Sequence, residues 1–385
     1  MKKIIHLLPF ILTILILPGQ AVMAQTGVQP EDNAGAVVCP PDVYMQPPAD
    51  CLPLGPSEYL TAMARLGMTF PLQPLSATMP DPSLKALPYL YYRVDPLTGT
   101  GFYPSLDAAQ AKDGATRILP PGSILYVVYN DVVDTGKGVY FQLPSGLWMP
   151  GDGSRVSLPE AQPGLEFSST PRNGFGWILD HQTPVTSQPS NGGALIRTLA
   201  LYDIVQVYSK QNIEDADWYL IGPNEWVQGH KLAAVFPNTT PPAGVTNGRW
   251  IDVNLAEQTL AVYDNQQLVF ATVMASGVEP LWTRPGLFQI YEKKAIEIMS
   301  GGQGTSEYYY LENVPWTMYF DKARALHGAY WRARLGYPQS HGCVNLTVGD
   351  SHWLFNWAQE GDWVYVHDPS GLTPTDPSFY GDGGA

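Results

Sequence analysis

Ser340-His341-Gly342-Cys343-Val344-Asn345, with Leu326-His327-Gly328 upstream, brings a thiol, two imidazoles and several small residues into one short stretch. Four of the seven histidines, His327, His341, His352 and His367, lie in this C-terminal part of the chain. Cysteine is a nucleophile as its thiolate, and a neighbouring imidazole is the usual means of activating it. Gly342 lets the backbone turn tightly beside the sulfur and present N–H groups to a developing oxyanion. The residues point to acyl transfer by a cysteine. A buried cysteine acting only as a small hydrophobe is the bland alternative. Zinc is another, since His327, His341, Cys343 and His352 are all possible ligands, but their spacing matches no paired metal motif and no second cysteine lies nearby. No metal and no cofactor are expected.

The stretch resembles the signature of the L,D-transpeptidases of bacterial cell walls. Ile251-Asp252-Val253-Asn254 with Gln258-Thr259-Leu260-Ala261-Val262-Tyr263 is similar to that family's opening hairpin. Ser276-Gly277 and Thr283-Arg284-Pro285-Gly286-Leu287-Phe288 resemble its next landmarks, with Arg284 as an insertion before the proline. The resemblance covers about residues 249–368 and implies a β-sandwich or barrel-like catalytic fold.

Lys2-Lys3, an apolar run from Ile4 to Leu17 and Ala-Val-Met-Ala ending at Ala24 read as a secretory signal peptide over residues 1–24. The chain is therefore expected to be exported to the cell envelope or beyond, without a membrane span after cleavage. Disulfides persist there, and Cys39 with Cys51 would close a short proline-rich loop, leaving Cys343 free. The formal charge is −14, and loss of Lys2 and Lys3 takes it to −16. So acidic a protein is a poor nucleic-acid binder, and recognition of an anionic wall has to be local. Charged residues make up 15% and hydrophobic ones 45%, enough apolar residue to build sizeable cores.

Residues 25–86 read as a proline-rich segment with one helical signal, Ser57 to Leu66. An internal repeat follows: Tyr140-Phe141-Gln142-Leu143-Pro144-Ser145-Gly146-Leu147-Trp148 aligns with Trp218-Tyr219-Leu220-Ile221-Gly222-Pro223-Asn224-Glu225-Trp226, and Ser123–Tyr129 aligns with Asp203–Ser209. Short alternating runs between Gly, Pro and Asn turns predict two small antiparallel β-barrels, at 87–160 and 173–237. Both resemble bacterial Src-homology-3-like domains. They serve either as wall-binding modules or as spacers whose Trp148 and Trp226 are core residues. Residues 238–248 read as a stiff linker and 369–385 as a tail. The fold class is mainly β.

Within 249–368, Trp250–Asn254, Leu260–Tyr263, Leu268–Ala275, Phe288–Tyr291, Thr317–Phe320 and Trp363–His367 read as strands. Thr347 to Glu360 reads as the one main helix, opened by Thr347 and Asp350 and stopped by Gly361. Cys343 is the expected nucleophile and His327 its base. The resemblance implies that the Gly328 carbonyl orients His327. Backbone N–H groups of Gly342 and Cys343 are expected to hold the oxyanion, with His341 either assisting or structural and Ser340 fixing the loop. Tyr310, Trp316, Arg332 and Asn345 are candidate substrate-binding residues, and Met299 to Val314 either a lid or a strand. His352 and His367 are read as bystanders.

As the resemblance implies, the partner is the peptidoglycan stem. Cys343 takes the acyl group of the third residue of a tetrapeptide, releases D-alanine and passes the group from a thioester to an amine acceptor. Water in place of the amine makes a carboxypeptidase. A non-catalytic wall-binding scaffold is the alternative from another class. Papain-like enzymes place cysteine before histidine and caspase-like ones separate the pair by about fifty residues, so neither suits this order and spacing. The chain is expected to act as a monomer.

Overall fold

The computed structural model describes residues 63–68 and 72–383. The expected signal peptide, the expected disulfide partners Cys39 and Cys51, and most of the expected Ser57–Leu66 helix lie outside the described residues. Among the described residues no helix is long and apolar enough to cross a membrane.

The chain is mainly β, and its centre is a sandwich of two sheets. One sheet runs in the order Gly286–Gln289, Trp363–His367, Arg249–Asn254, Thr259–Asp264, Gln267–Val273 and Leu165–Glu166. The other runs Val344–Leu346, Arg324–Gly328, Tyr309–Asp321, Ile124–Tyr129, Leu90–Arg93 and Ser154–Arg155, with Glu292–Gly301 also paired to Tyr309–Asp321. Between them Val253, Leu260, Val262 and Val366 from the first sheet meet Met318, Phe320, Leu326 and Val344 from the second. Strand side chains alternate between faces, which explains why Thr259–Asp264 is buried on both. Leu260 and Val262 enter the sandwich core, while Ala261 and Tyr263 face a second core.

That second core comes from the neighbouring segment. Phe175, Trp177, Ala233 and Val235 cover the outer face of the first sheet. Gly174–Ile178, Ile204–Val207 and Leu232–Val235 form a small sheet, and Leu195–Leu199, Thr183–Thr186, Glu225–Gln228, Ala216–Gly222 and Ser209–Ile213 form another over a shared core. The carboxylate of Glu257 ties this segment down: it accepts from the Tyr219 hydroxyl at 2.6 Å and pairs with Lys210 at 3.2 Å.

The first segment differs from the expected self-contained barrel. No closed barrel forms among the described residues. Ile124–Tyr129 instead runs parallel to the start of Tyr309–Asp321, pairing Ile124 with Tyr309 and Tyr126 with Leu311. The physical reason is edge satisfaction: on the side of Arg324–Gly328, which pairs only from Met318 onward, the start of Tyr309–Asp321 is left open, and the first segment supplies the missing hydrogen bonds. A short helix, Leu106–Ala111, capped by Ser105, also lies in this segment and is absent from the sequence reading. The aligned repeat stretches do adopt the same form, each an antiparallel hairpin. Trp226 is buried beside Met68 and Trp218, and half-buried Trp148 packs against Tyr103 and Tyr140. Both tryptophans are core residues.

The main helix is Val348–Trp357, with the Thr347 hydroxyl accepting from the Asp350 N–H at 3.2 Å. It packs Leu354 into the sandwich core, with Trp353 and Trp357 half-buried against it. Residues 238–248 lie on the body of the protein, where Asn238 N–H donates to the Tyr263 hydroxyl at 3.1 Å.

Candidate active site

Two adjacent parallel strands position the candidate catalytic residues. His327 stands opposite Asn345 and Leu326 opposite Val344. Leu326 and Val344 enter the sandwich core, so alternation sends His327 and Asn345 to the other face. Cys343 precedes the second strand by one residue and shares a small pocket with His327, His341, Ser340, Asn345 and Arg332. Tyr309, Leu311 and Met299 of the long hairpin, Trp331 and Ile124 of the first segment complete the wall. The pocket holds about 30 Å³, on the scale of a single water. A cleft of about 1200 Å³ lies elsewhere, between the second segment and the catalytic unit, and contains neither Cys343 nor His327.

His327 is buried, and its tautomer follows from its two partners. Nδ1 is 3.2 Å from the Gly328 carbonyl, which can only accept, so Nδ1 carries the hydrogen. Nε2 is left with its lone pair, and the Asn345 amide nitrogen lies 3.2 Å from it as donor. Burial pushes the imidazole down to about 4, the Gly328 carbonyl opposes this, and the positive charge of Arg332 adds to the depression. Trp331 stacks on the ring at 5.6 Å between centroids.

Cys343 is half-buried, with its sulfur 3.7 Å from the Ala323 carbonyl. Burial pushes the thiol up to about 11, against smaller opposing effects of the Ala325 backbone and Arg324. At neutral pH the pair is therefore a thiol and a neutral imidazole.

The loop around the sulfur is tightly held. Ser340 Oγ accepts from the Gly342 N–H at 3.1 Å and donates to the Cys343 carbonyl. Gly342 has φ +117°, a conformation that L side chains rarely adopt. Its carbonyl accepts from Thr283 Oγ1 at 2.9 Å, and Thr283 Oγ1 accepts from the Gly277 N–H at 2.9 Å. The Gly342 N–H, expected as an oxyanion donor, is thus already engaged by Ser340. Gly328 has no room for a side chain, since a Cβ would lie 2.6 Å from Ser351 Oγ. Arg284 pairs with Asp321, which also takes Arg324 at 3.0 Å. Burial alone would raise the Asp321 carboxyl, and the two guanidiniums outweigh it.

His341 has its Nε2 3.6 Å from the Glu307 carboxylate and its ring 5.0 Å from Tyr309. It links the catalytic loop to the hairpin. Burial lowers its pKa, with Glu307 opposing.

The remaining expectations divide. Arg332 and Asn345 are in the pocket. Tyr310 points the other way, into the core of the first segment, where its hydroxyl donates to Glu312 at 2.9 Å. Trp316 stacks on His352 at 3.8 Å, away from the pocket. The tyrosine run is strand rather than loop from Tyr309 onward. Tyr309 is the one that faces the sulfur, which strand alternation would reveal once the register was known. Trp331 and Ile124 carry no local signal, because only tertiary contact brings them here.

Residues 329–339, between His327 and the Cys343 loop, contain no helix, and both upstream segments hold them. Tyr91 stacks on Tyr330 at 3.7 Å. From the second segment, the Tyr202 hydroxyl accepts from the Leu335 N–H at 2.9 Å, and Asp180 pairs with Arg334 at 2.8 Å.

Residues 248–366 match the family model of the YkuD L,D-transpeptidase catalytic domain. Solved structures with similarity include an L,D-transpeptidase from Stackebrandtia nassauensis at 27% identity, covering 33% of this chain and 57% of that one with a TM-score of 0.27. The catalytic domain of the Enterococcus faecium L,D-transpeptidase is 24% identical over 32% of this chain and 100% of that one, with a TM-score of 0.29. The Enterococcus faecium C442S mutant is 25% identical over 31% of this chain and 49% of that one, with a TM-score of 0.29. The match thus spans about half the length of the longer relatives. No curated protein matches the chain.

Proposed function

We propose that the chain is an exported, cysteine-dependent L,D-transpeptidase of peptidoglycan. The observation that carries this reading is the tautomer of His327: its Nδ1–H is held by the Gly328 carbonyl, so that Nε2 is a proton acceptor in the same pocket as Cys343. The match of residues 248–366 to the transpeptidase catalytic domain supports it.

In this reading the donor is a stem tetrapeptide. The Cys343 thiol turns from the Ala323 carbonyl toward His327 Nε2 and displaces the Asn345 amide. Its proton passes to Nε2 as sulfur bonds to the carbonyl carbon of the third residue. The Cys343 N–H stabilises the oxyanion, and the Gly342 N–H contributes once released from Ser340. Loss of one such donor typically costs about 100- to 1,000-fold. Collapse breaks the bond to D-alanine, whose amine takes the proton from Nε2, and leaves a thioester. An acceptor amine attacks the thioester, His327 removes its proton, and the thiol is regenerated. The pocket is too small for a stem peptide as it stands, so entry moves the hairpin carrying Met299, Tyr309 and Leu311.

Mass spectrometry of residues 25–385 with a disaccharide-tetrapeptide, beside Cys343→Ala, tests the reading. A product joining two stems with loss of D-alanine, absent from the variant, is expected. Tripeptide alone would make the protein a carboxypeptidase. No Cys343-dependent product across several stem compositions would sink the enzyme reading.

A further inference from the structure

Arg332 is a half-buried cation without a counter-ion, in the pocket of the nucleophile. Its guanidinium touches only neutral acceptors: Nη1 donates to Gln339 Oε1 at 3.2 Å, and Nη2 to the Gln339 carbonyl. Its Nε is buried and has no partner. Among the described residues Arg197, Arg249, Arg284, Arg324 and Arg334 each pair with a carboxylate; Arg332 has no such pair, as is also true of Arg93, Arg117 and Arg155, but those three are exposed. Burial accordingly lowers its pKa, with only Tyr126 acting the other way. Its charge also disfavours protonation of both His327 and His341. A desolvated cation with a spare donor is costly unless an anion completes it.

We propose that Arg332 is the receptor for a carboxylate of the stem peptide, held beside Cys343; the identity of that ligand rests on the transpeptidase reading. A guanidinium meets a carboxylate with charge and directed N–H donors together. The interaction is local, as it has to be in a chain of net charge −14. Gln339 acts as the brace that aims the fork. Two carboxylates of a donor stem have this chemistry: that of the terminal D-alanine, and one on the side chain of a diacidic third residue.

The first test needs no turnover. Cys343 in the full chain is alkylated with iodoacetate and with iodoacetamide, and the ratio of rates is compared with that of free cysteine. A ratio at least tenfold above free cysteine is expected, dropping to that of free cysteine in Arg332→Gln and partly retained in Arg332→Lys. A ratio at or below free cysteine in the unaltered chain overturns the proposal, and this arm stands even if the variants do not fold. The second test compares stems amidated at the terminal carboxylate with stems amidated at the third-residue side chain. At least a tenfold rise in KM for one of them, absent in Arg332→Gln, identifies the source. Turnover indifferent to both amidations overturns the stem assignment. An intact alkylation preference with no turnover of any stem supports the carboxylate site and removes the transpeptidase reading instead.

Discussion

The side-chain amide nitrogen of Asn345 lies 3.2 Å from Nε2 of His327, the ring nitrogen that the Gly328 contact leaves without a hydrogen. The two residues are register partners on parallel strands. The contact therefore depends on backbone pairing rather than on a flexible side chain reaching in. It favours the unprotonated Nε2 and so works with burial to keep the base neutral.

Asn345→Asp places a carboxylate against that nitrogen and stabilises the imidazolium. NMR titration of His327 is expected to show its pKa rising from about 4 by more than one unit. An unchanged value would mean that the pair does not persist in solution.

The thiol and imidazole are both neutral at pH 7, because burial raises Cys343 to about 11 and lowers His327 to about 4. Alkylation of Cys343 by iodoacetamide is expected to climb through pH 9 and beyond, as the thiolate forms. A preformed thiolate–imidazolium pair would instead give a plateau between pH 5 and 8.

Tyr202→Phe removes the hydroxyl that accepts from the Leu335 N–H. The buried donor left without a partner costs about 1–3 kcal/mol. Faster hydrogen exchange at Leu335 and a fall in kcat larger than the change in KM are expected, since the loop between His327 and Cys343 loosens. Exchange equal to that of the unaltered chain would show that the second segment does not brace this loop.

Asp350 is buried, accepting from Thr272 Oγ1 at 2.7 Å and the Gly164 N–H at 3.2 Å, yet burial raises its carboxyl to about 6. The folded value lies above the unfolded one, so the folded state binds the proton more tightly. Its contribution to stability is full below about pH 4 and is lost as pH rises through about 6. Asp350→Asn removes this term. Denaturant melts at pH 5 and pH 7 are expected to show a decline of about 1 kcal/mol that is smaller in the variant. Equal slopes in both proteins would exclude Asp350 as the source.

The catalytic strands were legible because their composition alternates at the strand period, and Trp363–His367 matches its expected span. The helix start was legible from Thr347, whose hydroxyl caps it. The proximity of Cys343 and His327 was legible for another reason: thiol and imidazole are rare, and glycine beside them answers a local backbone requirement, seen in φ +117° at Gly342.

Local sequence could not show that the first segment would join the catalytic sheet. A strand's edge hydrogen bonds can be satisfied by any partner, and the side chains of Ile124–Tyr129 do not name one. Nor could it separate Tyr309 from Tyr310, since one residue of register exchanges which of them faces the sulfur and which enters the core. The chemistry of the site thus follows from a few residue types close together in the chain. Its walls, its tautomer and the unpaired charge of Arg332 come from strand pairing and burial, which are long-range properties of the folded chain.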